Sequence, residues 1–133
     1  MKKLLCICLV LTLLWLGGCA GSGKAAPDTP AYQTIDAAMA FALMEDGDPF
    51  ILLDVRTPEE FAQSRIPGAV LIPGNQLVSL APEELPDLEA RILVYCRSGQ
   101  RSAAAVRDLA DLGYQNLYDL GGILDWTYET IAD

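Results

Sequence analysis

Three kinds of hydrophobic pattern follow one another along the chain. Leu4 to Leu16 is an uncharged run of 13 residues, apolar but for Thr12, behind Lys2 and Lys3. Ala20 to Pro30, "AGSGKAAPDTP", shows no apolar period. From Tyr32 onward, short continuous apolar runs alternate with segments of helical character. "YQTI" predicts a short edge strand, and Asp36 predicts the N-cap of a helix through "AAMAFALM" that "EDGDP" ends. "FILLDV", Phe50 to Val55, is apolar and of strand length, the pattern of a strand covered on both faces. Thr57 offers the next N-cap, with Pro58 at the first helical position and Glu59 and Glu60 set to meet the helix dipole. Ile66-Pro67-Gly68 cuts that helix short. "AVLIP" predicts a brief strand, and the region holding "APEELPDL" is expected to be irregular. "RILVYC", Arg91 to Cys96, is the second buried strand. Ser102 to Leu112 predicts the best helix, closed by Gly113. "NLYDL" predicts a last strand, and "GGILDWTYETI" a terminal helix.

Strands alternating with helices predict an α/β domain, one sheet with helices on both faces, over residues 31–133. A chain of 133 residues suits one such domain. No internal repeat is present.

The N-terminal run has signal-peptide length and falls short of the ~20 residues that a spanning helix needs. It ends in Leu16-Gly17-Gly18-Cys19, which resembles the bacterial lipobox. The resemblance implies cleavage before Cys19 and thioether lipidation of its sulfur. Residues 1–18 are therefore expected to be a lipoprotein signal peptide, and residues 19–30 a lipidated flexible tether spanning about 18 Å. The expected location is the extracytoplasmic face of the cell membrane, held through Cys19.

Charge supports that arrangement. The chain carries −9, and loss of Lys2 and Lys3 leaves 7 basic residues against 18 acidic ones, or −11. An anionic bilayer repels such a body, so the lipid is expected to anchor it alone. Nucleic acid is excluded as a partner, because binding it requires Lys and Arg to displace counterions.

Histidine is absent, which removes Ser-His and Cys-His nucleophile pairs and the commonest zinc ligand. No metal or cofactor is expected. Of the four cysteines, Cys6 and Cys8 lie in the leader, so the count is no sign of a disulfide framework. Cys96 is different. It ends a buried strand in "VYCRSGQRSAAAV" and leads, through "RSGQR", into a helix N-terminus. Sites of open α/β sheets form at such strand ends. Inward-turned amides, the helix dipole and the guanidinium groups of Arg97 and Arg101 are each expected to favour a thiolate. Cys96 is then a nucleophile that needs no histidine base.

Together, "LLDVRTPEEFAQSRIPGAVLIP" and "ILVYCRSGQRSAAAVRDLADLGYQNLYDLGGILDW" resemble the rhodanese family in its single-domain sulfurtransferase form. The resemblance implies a five-stranded, mostly parallel sheet flanked by helices. It also implies a cysteine that takes sulfane sulfur as a persulfide, often from thiosulfate, and passes it to a thiophilic acceptor. Cys96 matches the persulfide-forming residue, and Arg97, Ser98, Gly99, Gln100 and Arg101 match the loop that cradles the sulfur. Asp54 and Arg56 match the family's Asp-Val-Arg motif, expected to hold the site's scaffold, with a purely structural ion pair or a contact with substrate as the alternatives. The loop has the short form, which suits a sulfur atom; loops one residue longer suit phosphate or arsenate. Where the family often has Gly-His before Ile-Pro-Gly-Ala, this chain has Ser64-Arg65. Arg65 is expected either to extend the positive rim or to be a solvated surface residue.

The leading expectation is a thiosulfate-type sulfurtransferase with a small anionic donor and a thiophilic acceptor, working as a monomer. A persulfide carrier or a redox- or sulfur-sensing module with little turnover is the alternative from another class. A thiol redox protein fits less well, because no second cysteine lies near Cys96 to resolve a disulfide. Phosphatase chemistry fits least: the loop is too small, and no general acid can be placed.

Overall fold

The computed structural model describes residues 31–133. The expected signal peptide, the tether and Cys19 lie outside the described residues. Five strands form one sheet: β1 (Tyr32–Thr34), β2 (Ile51–Asp54), β3 (Val70–Leu71), β4 (Ile92–Cys96) and β5 (Leu117–Gly122). Their spatial order is β1-β5-β4-β2-β3, and every strand pairing is parallel. The expected sheet is therefore present, with β1 at one edge and β4 in the centre.

Among the described residues four α-helices accompany it: α1 (Ala37–Glu45), α2 (Pro58–Gln63), α3 (Leu77–Glu84) and α4 (Gln100–Asp111). All five residues of β4 are buried, and their alternation builds a core on each face. Ile92, Val94 and Cys96 pack with Leu53 and Val55 beneath Leu77 and Ala81 of α3 and Ala105 and Leu109 of α4. Leu93 and Tyr95 face the other way, toward Leu52, Ala40 of α1 and Trp126. Burial on both faces is the reason β2 and β4 appear in the sequence as continuous apolar runs.

Local capping follows the sequence. The Asp36 carboxylate accepts the Met39 amide at 2.8 Å. At α2, the Glu60 amide donates to the Thr57 hydroxyl (3.3 Å) and the Thr57 amide donates to the Glu60 carboxylate (3.0 Å), a closed capping box. Gly113 takes a φ of +100° at the end of α4, as its place predicts.

Three expectations need correction. The stretch expected to be irregular contains α3. Pro82 forfeits one helical hydrogen bond there, but Leu77 and Ala81 are fully buried against the sheet. The Tyr114 hydroxyl also donates toward the carbonyls of Ala81 (2.9 Å) and Leu85 (2.7 Å), closing the helix end.

The terminal helix does not form. Beyond β5 there is one 3₁₀ turn, Ile123–Asp125, and then extended chain whose Ile131 exchanges backbone hydrogen bonds with Arg65 at 2.8 and 2.9 Å. The Leu124 amide donates to the Arg97 carbonyl (3.2 Å), and the buried Trp126 indole donates to the Glu129 carbonyl (3.0 Å). Tertiary partners thus take up groups that a helix would have paired internally. Last, α4 begins at Gln100 rather than Ser102, which places Gln100 and Arg101 in its first turn.

Candidate active site

Cys96 is the last residue of β4, and Gly99 turns the chain into α4 three residues later. Gly99 has a φ of +99°, a left-handed conformation that glycine enters without the Cβ penalty. The turn aims the Gly99 amide at the Cys96 Sγ, 3.0 Å away. No side chain caps α4, whose first amides lack intrahelical partners. The sulfur stands at this uncapped helix start and accepts the Gly99 amide.

Two opposing influences act on the thiol. Burial pushes its pKa up, since Cys96 is 1 % exposed. The Ser102 and Gly99 amides, the Ser102 hydroxyl and the Ser98 amide together outweigh it, and the pKa falls below its ordinary value. The thiolate is therefore favoured, as expected, but chiefly by amides and a hydroxyl rather than by guanidinium groups. Ser102 is a site residue that the sequence reading passed over. It is fully buried, and its hydroxyl also lies 3.1 Å from the Gly99 carbonyl and 3.3 Å from that of Gly121. Its position one residue after Arg101, in the first turn of the helix, was the available signal.

Gly122 was also missed. A Cβ built there would run into the Arg97 carbonyl and lie 2.8 Å from the Ser98 Cα. The end of β5 thus forms the back wall of the loop, and only glycine fits against it. The register between β4 and β5 shifts after Val94, pairing Tyr95 with Gly121 and Cys96 with Gly122. That bulge sets the glycine pair behind the cysteine.

The remaining candidates divide. Arg97, Ser98 and Gln100 are exposed and form the rim. Arg101 does not stand free: its Nη1 and Nη2 each lie 2.8 Å from an oxygen of Glu60. Asp54 and Arg56 are buried together, 0 % and 4 % exposed, in an ion pair of 2.6 Å. Arg56 Nη2 also donates to the Ser64 carbonyl (2.6 Å), and its guanidinium lies 5.5 Å from the Tyr95 ring centroid. The pair ties the end of β2 to the chain after α2 through Nε and Nη2 of Arg56, and Arg56 also borders the cavity beside the loop. The buried geometry is that of a structural ion pair. Arg65 is neither rim nor solvated: it pairs with Asp133 at 2.8 Å and lies over the Phe61 ring.

Beside the loop, on the Cys96 side of the sheet, a cavity of about 320 Å³ is lined by Val55, Pro73, Arg101, Ala104, Ala105 and Asp108. Among the described residues no cluster of Cys, Asp or Glu could hold a metal ion.

A parallel α/β sheet whose central strand delivers a cysteine of lowered pKa to the start of a helix defines a class of protein, the α/β domains with a thiol at the carboxyl end of a strand. The family model for the rhodanese-like domain matches residues 36–129, and the chain belongs to that family. It is 37% identical over 93 residues to a sulfurtransferase of Allochromatium vinosum, covering 69% of this chain and 85% of that one. It is 33% identical over 73 residues to the thiosulfate sulfurtransferase PspE of Escherichia coli, covering 55% and 70% respectively. Among solved structures, a rhodanese-like domain from Anabaena superposes with a TM-score of 0.69 at 28% identity, covering 75% of this chain and 79% of that one. A human single-domain sulfurtransferase superposes at 0.61 and 30% identity, covering 70% and 93%.

Proposed function

We propose that the protein is a thiosulfate-type sulfurtransferase that carries sulfur as a persulfide on Cys96. The Cys96 thiolate attacks the outer sulfur of the donor. A new S–S bond forms, the donor's S–S bond breaks, and its electron pair leaves with sulfite. A thiophilic acceptor then attacks the terminal sulfur of the persulfide and regenerates the thiolate. Neither step demands a proton at neutral pH, in keeping with a site that has no histidine.

One observation carries the reading: Sγ sits 3.0 Å from the Gly99 amide at the uncapped start of α4, where the backbone of Ser98, Gly99 and Ser102 and the Ser102 hydroxyl lower the thiol's pKa. The same donors stabilise the charge of the thiolate and, one bond further out, of the persulfide. The short span from Cys96 to Arg101 favours a single sulfur atom over a tetrahedral phosphoryl group.

Intact-mass measurement after thiosulfate treatment tests the reading. Wild type gains one sulfur atom and Cys96→Ser gains none; no gain on wild type overturns it. Thiocyanate formation from cyanide then reports turnover, and a stable persulfide that yields thiocyanate slowly would mark a carrier.

The proposal extends to location. Lys2, Lys3, the apolar run and Leu16-Gly17-Gly18-Cys19 support a lipoprotein held at the extracytoplasmic face of the membrane through Cys19. Metabolic labelling with a radioactive fatty acid, in bacteria expressing the full sequence, should mark the chain processed at Cys19 and fail on Cys19→Ser.

A further inference from the structure

The rim of the loop carries less positive charge than its sequence suggests. Arg56 is matched by Asp54, and Arg101 by Glu60, so among the described residues Arg97 is the loop's one arginine without an ion pair. The Glu60 grip is firm. Its Oε1 and Oε2 each take one Arg101 nitrogen at 2.8 Å, while Oε2 also accepts the Thr57 amide of the capping box. Arg101 holds Glu60 near pKa 2, against the cost of burial, with the Thr57 amide helping, so the carboxylate stays charged throughout the working range. Arg101 stands in the first turn of α4, directly after the Cys96 loop, and lines the cavity beside it, which sets the pair at the mouth of the site.

We propose that Glu60 is a specificity-determining residue of the sulfur-transfer site: it occupies the Arg101 guanidinium as a built-in anion and weakens the site for doubly charged sulfur donors relative to singly charged ones. The proposal rests on the sulfurtransferase reading above. An incoming dianion finds Arg101 already neutralised inside a chain of net charge −9. A donor with one charge fewer loses less from that arrangement, because its Coulomb interaction with the rim is half as large. The sulfur-transfer step is the same for both probes. Thiosulfate releases sulfite and methanethiosulfonate releases methanesulfinate, each leaving with the electron pair of the broken S–S bond.

Glu60→Gln isolates the charge. Glutamine at this position keeps an oxygen for the Thr57 amide, so the capping box survives while Arg101 is released. The KM for thiosulfate is expected to fall about threefold to tenfold in Glu60→Gln, with kcat within about twofold. The KM for methanethiosulfonate should fall by about the square root of that factor. Glu59→Gln makes the same change in net charge on the same helix without touching Arg101, and should leave both values near wild type. Equal KM shifts for the two donors, no shift at all, or a matching shift in Glu59→Gln would overturn the proposal. Thiosulfate titration of Cys96→Ser and of Cys96→Ser/Glu60→Gln, followed by amide NMR shifts, reads donor affinity without chemistry. Tighter binding in the double variant supports the role of Glu60 even if no persulfide forms on the wild type, an outcome that would sink the sulfurtransferase reading alone. Equal binding counts against Glu60.

Discussion

Gly122 brings no side chain to the site, yet the Cys96 loop depends on that absence. Alanine there must push against the Arg97 carbonyl and the Ser98 Cα, both backbone, so the cup has to open. Gly122→Ala is expected to lower the rate of persulfide formation by at least about tenfold, read by mass after timed exposure to thiosulfate. Gly121→Ala is the comparison: its Cβ meets nothing, but φ is +85°, so it should cost about 1–2 kcal/mol of stability by denaturant melt and retain the rate. Ser102 gives a second residue-scale prediction. Removing its hydroxyl takes one stabilising donor from the thiolate, so Ser102→Ala should shift the pH profile of iodoacetamide alkylation toward alkaline pH. Because the folded-state pKa of Cys96 lies below the unfolded one, the thiolate's contribution to stability is complete above the unfolded value. It is lost as pH falls through the lowered folded value, and alkylation should slow in the same window.

At the scale of elements, each site group arrives on a different piece of the fold. β4 delivers the sulfur, α4 its amides, β5 the back wall, and α2 the partner of Arg101. The joint between β2 and the chain after α2 is the buried Asp54–Arg56 pair. Asp54→Asn would leave a cation 4 % exposed without its counter-charge, a loss of about 3–5 kcal/mol. Differential scanning calorimetry should show the fall in Tm, while persulfide formation at low temperature persists, since neither residue contacts the sulfur. The strands and the α4 helix were legible because their signals are local: apolar runs of strand length, a glycine at each end of α4, and the capping residues of α1 and α2. The end of the chain was not. "GGILDWTYETI" has helical composition, but Trp126 is drawn into the core and Ile131 pairs with Arg65, 66 positions away. α3 was hidden for the converse reason, since Pro82 marks a break that burial of Leu77 and Ala81 overrides.

For the whole molecule, the net charge of −9 opposes the approach of an anionic donor. Raising ionic strength should therefore increase kcat/KM for thiosulfate, by no more than about threefold, because distant charges are already largely screened. Arg101→Leu should cost more, about tenfold or above, since it leaves Glu60 bare at the rim. Steady-state kinetics across a salt series compares the two, and equal effects would mean that the field of the body outweighs the site's own charges.

The sequence by itself determined the sheet and the placing of Cys96 and its loop at a strand end, because these are written within a dozen consecutive residues around Cys96 and in the apolar runs that flank it. It also named the arginines of that loop, but not what they face. Only the tertiary structure decided that Arg101 is bound to Glu60, 41 positions earlier, and that Gly122 stands behind the cup. The physical reason is range. Propensity, capping and apolar period act over a turn or a strand, whereas neutralisation of a charge and exclusion of a Cβ depend on which distant elements the folded sheet brings into contact.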